Sequence, residues 1–439
     1  MKVAIIGSGI AGLAAAHDLH RDHEITLFEA AEHVGGHVIT VEVEDRGRAL
    51  PVDMGFIVYN RRTYPELVRL FEQAGVETQP SDMGFSVRHE SDDGADRLEW
   101  AGSSLDSLFA QRRNLLRPSF WRMLRGVVRL NRSRHELLAQ PPGVRLGQYL
   151  DHAGFRGPVV DWYLLPMLSA VWSTEPRRML DFPAATLGRF LDNHGLLTLT
   201  DRPQWRVVRG GSARYVEALT ADFADRIRLG TPVRSVRRAP DRVVVETVHG
   251  ERDVFDGAVI ATHSDQALRL LADPTDVEQH VLGAIPYIEN EVVLHTDERL
   301  MPRRRNAWAA WNYHLLDQPS DRTRVTYWMN KLQSLDAERD YFVTLNRTDA
   351  VRADRILHRR SMAHPLFTAE SDAAKSRWAE ISGDRTVYAG AYWRFGFHED
   401  GVLSGRRAAR ALRARLTGRL GQPDVALELG YEPALEAVA

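Results

Sequence analysis

The chain has 439 residues, with 57 Lys and Arg against 59 Asp and Glu and a net charge of −2. That balance excludes a bulk attraction to nucleic acid, and the length exceeds what one core ordinarily holds, so two domains are expected. Cysteine is absent, which excludes disulfides, thiolate-bound metal, dithiol catalysis and a cofactor tethered through sulfur.

The first residues read as a buried strand rather than a leader, and no apolar run reaches the roughly 18 to 20 residues that span a bilayer. A cytoplasmic protein is expected, with no metal centre. VAIIGSGIAGLAAAHDLH predicts a strand, a glycine turn and an alanine-rich helix. Gly7, Gly9 and Gly12 stand as G-x-G-x-x-G, with Ser8, Ile10 and Ala11 between them. The first glycine permits the tight turn, the second lets backbone approach a pyrophosphate, and the third lets helix pack on strand. The free N–H groups of the helix start then face the phosphates. A second strand, EITLFEA, ends in Glu29 and Ala30, where an acid would bond a ribose hydroxyl.

A double glycine, Gly35 and Gly36, follows in AAEHVGGHVIT, and LPVDMGFIVYN brings Asp53, Met54, Gly55 and Phe56. A second backbone approach of this kind suits an elongated FAD better than NAD. These residues together resemble the flavin-containing amine oxidase superfamily, which includes phytoene desaturases and protoporphyrinogen oxidases. The resemblance implies an α/β fold in which a Rossmann-like FAD-binding domain is interleaved with an α+β substrate domain. Members usually carry arginine after the double glycine; here His37 stands there.

Residues 112–134 read as helix broken near Pro118, with positions 116, 120, 123, 124 and 127 on one apolar face. They carry eight arginines and no acid. Such a basic, aromatic stretch suits contact with an anionic membrane, making the protein peripheral, or else an exposed cap with a solvated face. From 206 onward strands return, and by resemblance Val233 meets the adenine and Ala261 closes a strand beneath the cofactor. Gly210 and Gly211 lack the fingerprint spacing, so a separate NAD(P)H domain is not expected. The expected cofactor domain is 1–84, 206–268 and 381–425. The expected substrate domain is 85–205 and 269–380, with a tail at 426–439.

Near the C-terminus, VYAGAYWRFGFHEDGVLSG predicts a strand ending in Gly390, a loop and a helix. By resemblance the loop lies beside the isoalloxazine. Asp400, Gly401 and Val402 then sit at the helix start, whose amides favour the anionic reduced ring. Together with VLHTDERLMPRRRNAWAAWNY and VTYWMNKLQ, this loop is similar to a narrower bacterial group, FAD-binding proteins encoded beside cyclopropane-fatty-acyl-phospholipid synthase-like methyltransferases. That likeness implies oxidation or desaturation of a methylated or cyclopropane-type acyl chain. It also implies a lipid methyltransferase as partner. Flavin amine oxidation, and a redox-neutral or accessory role beside the methyltransferase, are the alternatives.

His398, Glu399 and His314 are candidate bases, though the first two equally suit capping. Lys331, one of three lysines, is a candidate for the flavin-side lysine of amine oxidases. Trp308, Trp311, Tyr313, Tyr327, Trp328, Tyr392 and above all Trp393 are candidates for an apolar substrate channel.

Overall fold

The computed structural model describes residues 1–141, 143–198, 202–318 and 321–418. The expected tail at 426–439 and the end of the piece 381–425 lie outside the described residues.

Val3 to Ile6 are buried without alternation because their strand, Lys2–Ile6, is central in a parallel sheet covered on both faces. It pairs with Glu24–Phe28 on one side and Gly257–Ile260 on the other. Ile227–Arg228 and Thr386–Tyr388 complete the two edges. Five strands from three distant parts of the chain thus make one sheet, and their carboxyl ends open on the same side. In parallel α/β sheets that side is where ligands bind.

The long helix His398–Leu416 packs against the first helix, Ile10–Leu19, through small residues. A Cβ on Gly405 would lie 2.2 Å from the Ala11 carbonyl, so the contact requires glycine. Val233–Arg238, Val243–Thr247 and Arg252–Phe255 form a separate antiparallel sheet, with Val243 and Val245 buried at the period of two that strands impose.

A seven-stranded sheet forms the second layer. Its order is Ile356–Pro365, Tyr287–His295, Phe342–Leu345, Val325–Trp328, Trp311–Leu316, Phe85–Glu90 and Asp96–Ala101. All neighbours are antiparallel except Trp311–Leu316 with Phe85–Glu90, which are parallel. Helices between 105 and 193 cover this sheet and carry their own core around Leu168, Met179 and Leu187.

The break near Pro118 is present: a 3₁₀ turn, Arg112–Leu116, precedes the helix Pro118–Arg132, with proline in its first turn where its missing N–H costs nothing. Phe120 and Met123 are buried as the pattern requires, whereas Leu116 is 89% exposed because the break turns it off the helical face. The C-terminal helix begins earlier than the sequence suggests, at His398. The Gly401 amide already bonds the Phe397 carbonyl at 3.1 Å, so the free amides belong to His398, Glu399 and Asp400.

Candidate cofactor and active site

A cavity of about 860 Å³ runs from the carboxyl ends of the parallel strands to the seven-stranded sheet. Its nucleotide end is lined by Gly7, Ser8, Gly9, Ile10 and Ala11 of the first turn, and by Glu29 and Ala30 after the second strand. Gly35, Gly36, His37, Met54, Gly55 and Phe56 continue the wall, together with Val233, Ala261 and Gly390. Residues from all three expected cofactor segments therefore meet at one space.

Close approaches explain the glycines. A Cβ on Gly12 would lie 1.9 Å from the Gly7 carbonyl, so Gly12 serves helix–strand packing and does not line the cavity. A Cβ on Gly36 would come within 3.0 Å of the Gly9 Cα; the two glycine turns touch there. A Cβ on Gly9 itself would meet nothing within 4 Å and would stand in the cavity where a pyrophosphate must pass. The donor and acceptor set fits a dinucleotide. Glu29 accepts from the Ser8 amide at 2.9 Å, the Ser8 hydroxyl at 2.5 Å and the Ala31 amide at 2.8 Å, which fixes its carboxylate at the cavity wall.

Asp400, Gly401 and Val402 stand behind the site rather than in it. Asp400 is buried and accepts from the Phe395 and Phe397 amides at 3.2 and 2.9 Å, holding the loop that carries Phe395 and Phe397 into the cavity. A Cβ on Gly401 would meet Ile10 at 2.5 Å, and Val402 is fully buried in the core.

The candidate catalytic residues separate in the same way. His398 lines the cavity, its ring stacked on Phe56 at 3.6 Å. Burial pulls its pKa down to about 3, and burial also pushes the Tyr215 hydroxyl well above its ordinary value. The Tyr215 hydroxyl and His398 Nε2 share a hydrogen bond of 3.0 Å, and the imidazole is neutral. That occupied nitrogen is no general base.

Glu399 does not reach the cavity; its two oxygens accept from the Glu66 and Leu67 amides at 3.0 and 2.9 Å and cap the helix Pro65–Gln73. Lys331 points to Asp82 at 3.5 Å on the surface side of a short helix, away from the cavity wall, and Trp393 is packed in the dinucleotide-side core. His314, buried in the sheet, accepts from Arg347 at 2.8 Å. Lys331, Trp393 and His314 are not among the described residues that line this cavity.

Beyond the nucleotide end the wall turns apolar. Ile57, Trp172, Trp311, Tyr327, Met362 and Phe395 line it, so three of the seven candidate aromatics, Trp311, Tyr327 and Tyr392, face the cavity. Tyr313 instead donates to Ser169 at 3.1 Å, and Trp308 and Trp328 pack with Phe342. Sequence patterning missed Tyr64, Trp172 and Phe367 on this wall, and also His263, Tyr287, Glu289 and His364. Only the position of Trp172 in an apolar helix gave any signal, and that equally describes core.

The fold and the cavity define a dinucleotide-binding α/β protein, and comparison with known proteins gives the family. The sequence profile of flavin containing amine oxidoreductases matches residues 10–305 and 305–413, and the chain belongs to that family. A Mycobacterium tuberculosis protein assigned as the flavin-containing monoamine oxidase AofH is 28% identical over 276 residues, 58% of this chain and 55% of that protein. The mouse L-amino-acid oxidase is 24% identical over 319 residues, covering 65% and 46% respectively. The chain thus spans about half the length of the curated relatives it matches.

Among solved structures, cyclohexylamine oxidase from Brevibacterium oxydans superposes with a TM-score of 0.65 at 16% identity, over 95% of this chain and 99% of that one. A CLA-producing fatty acid isomerase from P. acnes gives 0.64 at 16%, over 96% and 98%. These likenesses establish the fold. FAD is the cofactor of the family, and the cavity has the residues to hold it.

Proposed function

We propose that the protein dehydrogenates a modified fatty acyl chain, methylated or of the cyclopropane type, borne on a lipid. The observation that supports this reading is the apolar arm of the cavity. Among the described lining residues the only carboxylates are Glu29 and Glu289. Glu29 is committed to the nucleotide turn, and Glu289 accepts from Ser361 on the edge of the sheet. An ammonium substrate would find no counter-charge beside Trp172, Trp311, Tyr327 and Phe395, whereas a hydrocarbon would bury its surface there. The loop around Phe395–Asp400, similar to that of the flavoproteins encoded beside lipid methyltransferases, supports the same substrate class.

Bound FAD supplies the hydride acceptor. The chain's own part is positional. Aromatic walls exclude water and hold the acyl carbon, and Phe56 and Tyr215 fix the His398 ring at the cavity wall. Free amides at the start of His398–Leu416 place a positive dipole end behind that ring. A lipid-borne substrate and a lipid methyltransferase as partner would bring the protein to the inner membrane surface, where the arginine-rich helix would make contact.

Anaerobic mixing of the flavoprotein with methylated or cyclopropane-bearing phospholipid tests the reading. The expected result is bleaching of the flavin's visible band and a product lighter by two hydrogens. Bleaching by polyamines or aromatic amines, with every lipid inert, would replace it with amine oxidation. The structural likeness to a fatty acid isomerase favours a second, redox-neutral reading, in which a double bond moves while the band stays unchanged.

A further inference from the structure

We infer that His37 is a proton-accepting counter-ion for the pyrophosphate, so that binding the dinucleotide draws one proton from solvent onto its imidazole; this deepens the FAD site and rests on it. His37 follows Gly36, the residue whose backbone meets the phosphate turn at Gly9. Its ring lies between two other imidazoles that also line the cavity, His263 at 5.6 Å and 14° and His364 at 5.6 Å and 30°. His263 in turn stacks on Tyr287 at 4.5 Å and 8°.

The hydrogen bonds decide which of these rings can take a proton. Asn346 Oδ1 accepts from the Glu291 amide at 3.0 Å, so its Nδ2 donates, to Asn290 Oδ1 at 2.7 Å and to the Thr323 carbonyl at 2.9 Å. With Asn290 Oδ1 thus an acceptor, Asn290 Nδ2 donates to His364 Nδ1 at 3.0 Å. His364 therefore carries its proton on Nε2, and a second proton on Nδ1 would face the Asn290 N–H. It is locked neutral, accepting at Nδ1.

His263 sits over an aromatic face and is held down to about 4 by burial, with His37 as a second cause. His37 differs from both. It lines the cavity, and the Ala363 backbone beside it favours the protonated form.

Charges around it come from every packed element. Asp265 and Arg269 lie on the helix Ser264–Leu270, Glu289 and Tyr287 on one strand, Arg360 and His364 on the next, and His398 on the last helix. With the cavity free of anion, burial outweighs Glu289 and keeps the ring neutral. Two phosphate charges brought beside the ring would reverse that balance, because an opposite charge nearby favours the protonated ring. An arginine at this place would carry its charge at all times. Histidine acquires it with the ligand, so affinity for FAD falls as pH rises.

Calorimetric titration of the full chain, stripped of flavin, tests this at pH 8 in buffers of different ionisation enthalpy. The ligands are FAD, ADP-ribose (an internal pyrophosphate without flavin) and adenosine. The expected result is a buffer-dependent enthalpy equivalent to about one proton for FAD and ADP-ribose and none for adenosine. In His37→Arg the slope disappears while FAD still binds; in His364→Gln the slope remains. Wild-type binding of FAD with no buffer dependence, or a slope that survives His37→Arg, overturns the assignment to His37. Failure of FAD to bind the wild-type chain at all would instead overturn the dinucleotide site, and the proton with it.

Discussion

Glu399 shows how a residue can look catalytic while serving the scaffold. Its carboxylate caps Pro65–Gln73 from another part of the chain, and burial, with Asp400 and Glu66 close by, raises its pKa to about 7. Between its ordinary range and about 7, the folded protein holds a proton that the unfolded chain releases. Stability from this group is therefore full at low pH and is lost as pH rises through that window. Glu399→Gln keeps one acceptor and cannot ionise. Urea unfolding at pH 5 and pH 8 should show a smaller drop in stability for the variant than for wild type, and parallel drops would show that Glu399 does not titrate there. The glycine fingerprint and Glu29 were legible in the sequence because close backbone approach admits few substitutes. The locations of Lys331 and Trp393 were not. Rarity and aromaticity describe a side chain without saying which way its element faces, and a one-turn helix turned Lys331 to Asp82.

At the scale of elements, the arginine-rich segment keeps much of its surface exposed. Leu116, Leu115 and Trp121 are exposed beside Arg122 and Arg125, while Phe120 and Met123 face a core shared with the cavity wall. Arg112 pairs with Asp106, and Arg117 donates to the Arg97 carbonyl at 2.6 Å while lying 5.0 Å from the Trp162 ring. The exposed set is thus both apolar and cationic, which suits an anionic bilayer surface. No helix among the described residues is long and apolar enough to cross a membrane. Sedimentation with vesicles rich in phosphatidylglycerol should carry the wild-type chain down, and added salt should weaken this. Arg122→Glu with Arg125→Glu should reduce binding several-fold, as should Leu116→Asp. Equal sedimentation with neutral phosphatidylcholine would argue against the charge, and none with either lipid against the surface itself. The helix was readable from its periodicity, but the outward swing of Leu116 was not, since it depends on where the 3₁₀ turn ends.

At the scale of the whole molecule, groups remote in sequence tie separate segments together. Asp53 is buried at the end of its strand and accepts from Thr40 at 2.5 Å, from the Ser212 amide and hydroxyl at 2.9 Å each, and from Gln333 Nε2 at 2.9 Å. Gln333 returns the contact by accepting the Asp53 amide at 2.8 Å. Four segments therefore meet at one carboxyl, and burial raises its pKa to about 6 despite these donors. Met54, Gly55 and Phe56, directly after this anchor, line the cavity and would help hold FAD there. An anchor this close in sequence to the cavity wall implies coupled losses. Asp53→Asn sets an amide N–H against donors fixed by Gln333 and the Ser212 backbone, an unsatisfied arrangement costing about 1–3 kcal/mol. Free FAD at a hundred times its Kd should add about 2.7 kcal/mol to wild type by mass action. If the anchor also shapes the cofactor wall, the variant should bind FAD more weakly and gain less from it. Thermal melts with and without added FAD decide this: an undiminished FAD gain in Asp53→Asn would mean that the anchor stabilises the fold without shaping the wall of the flavin cavity.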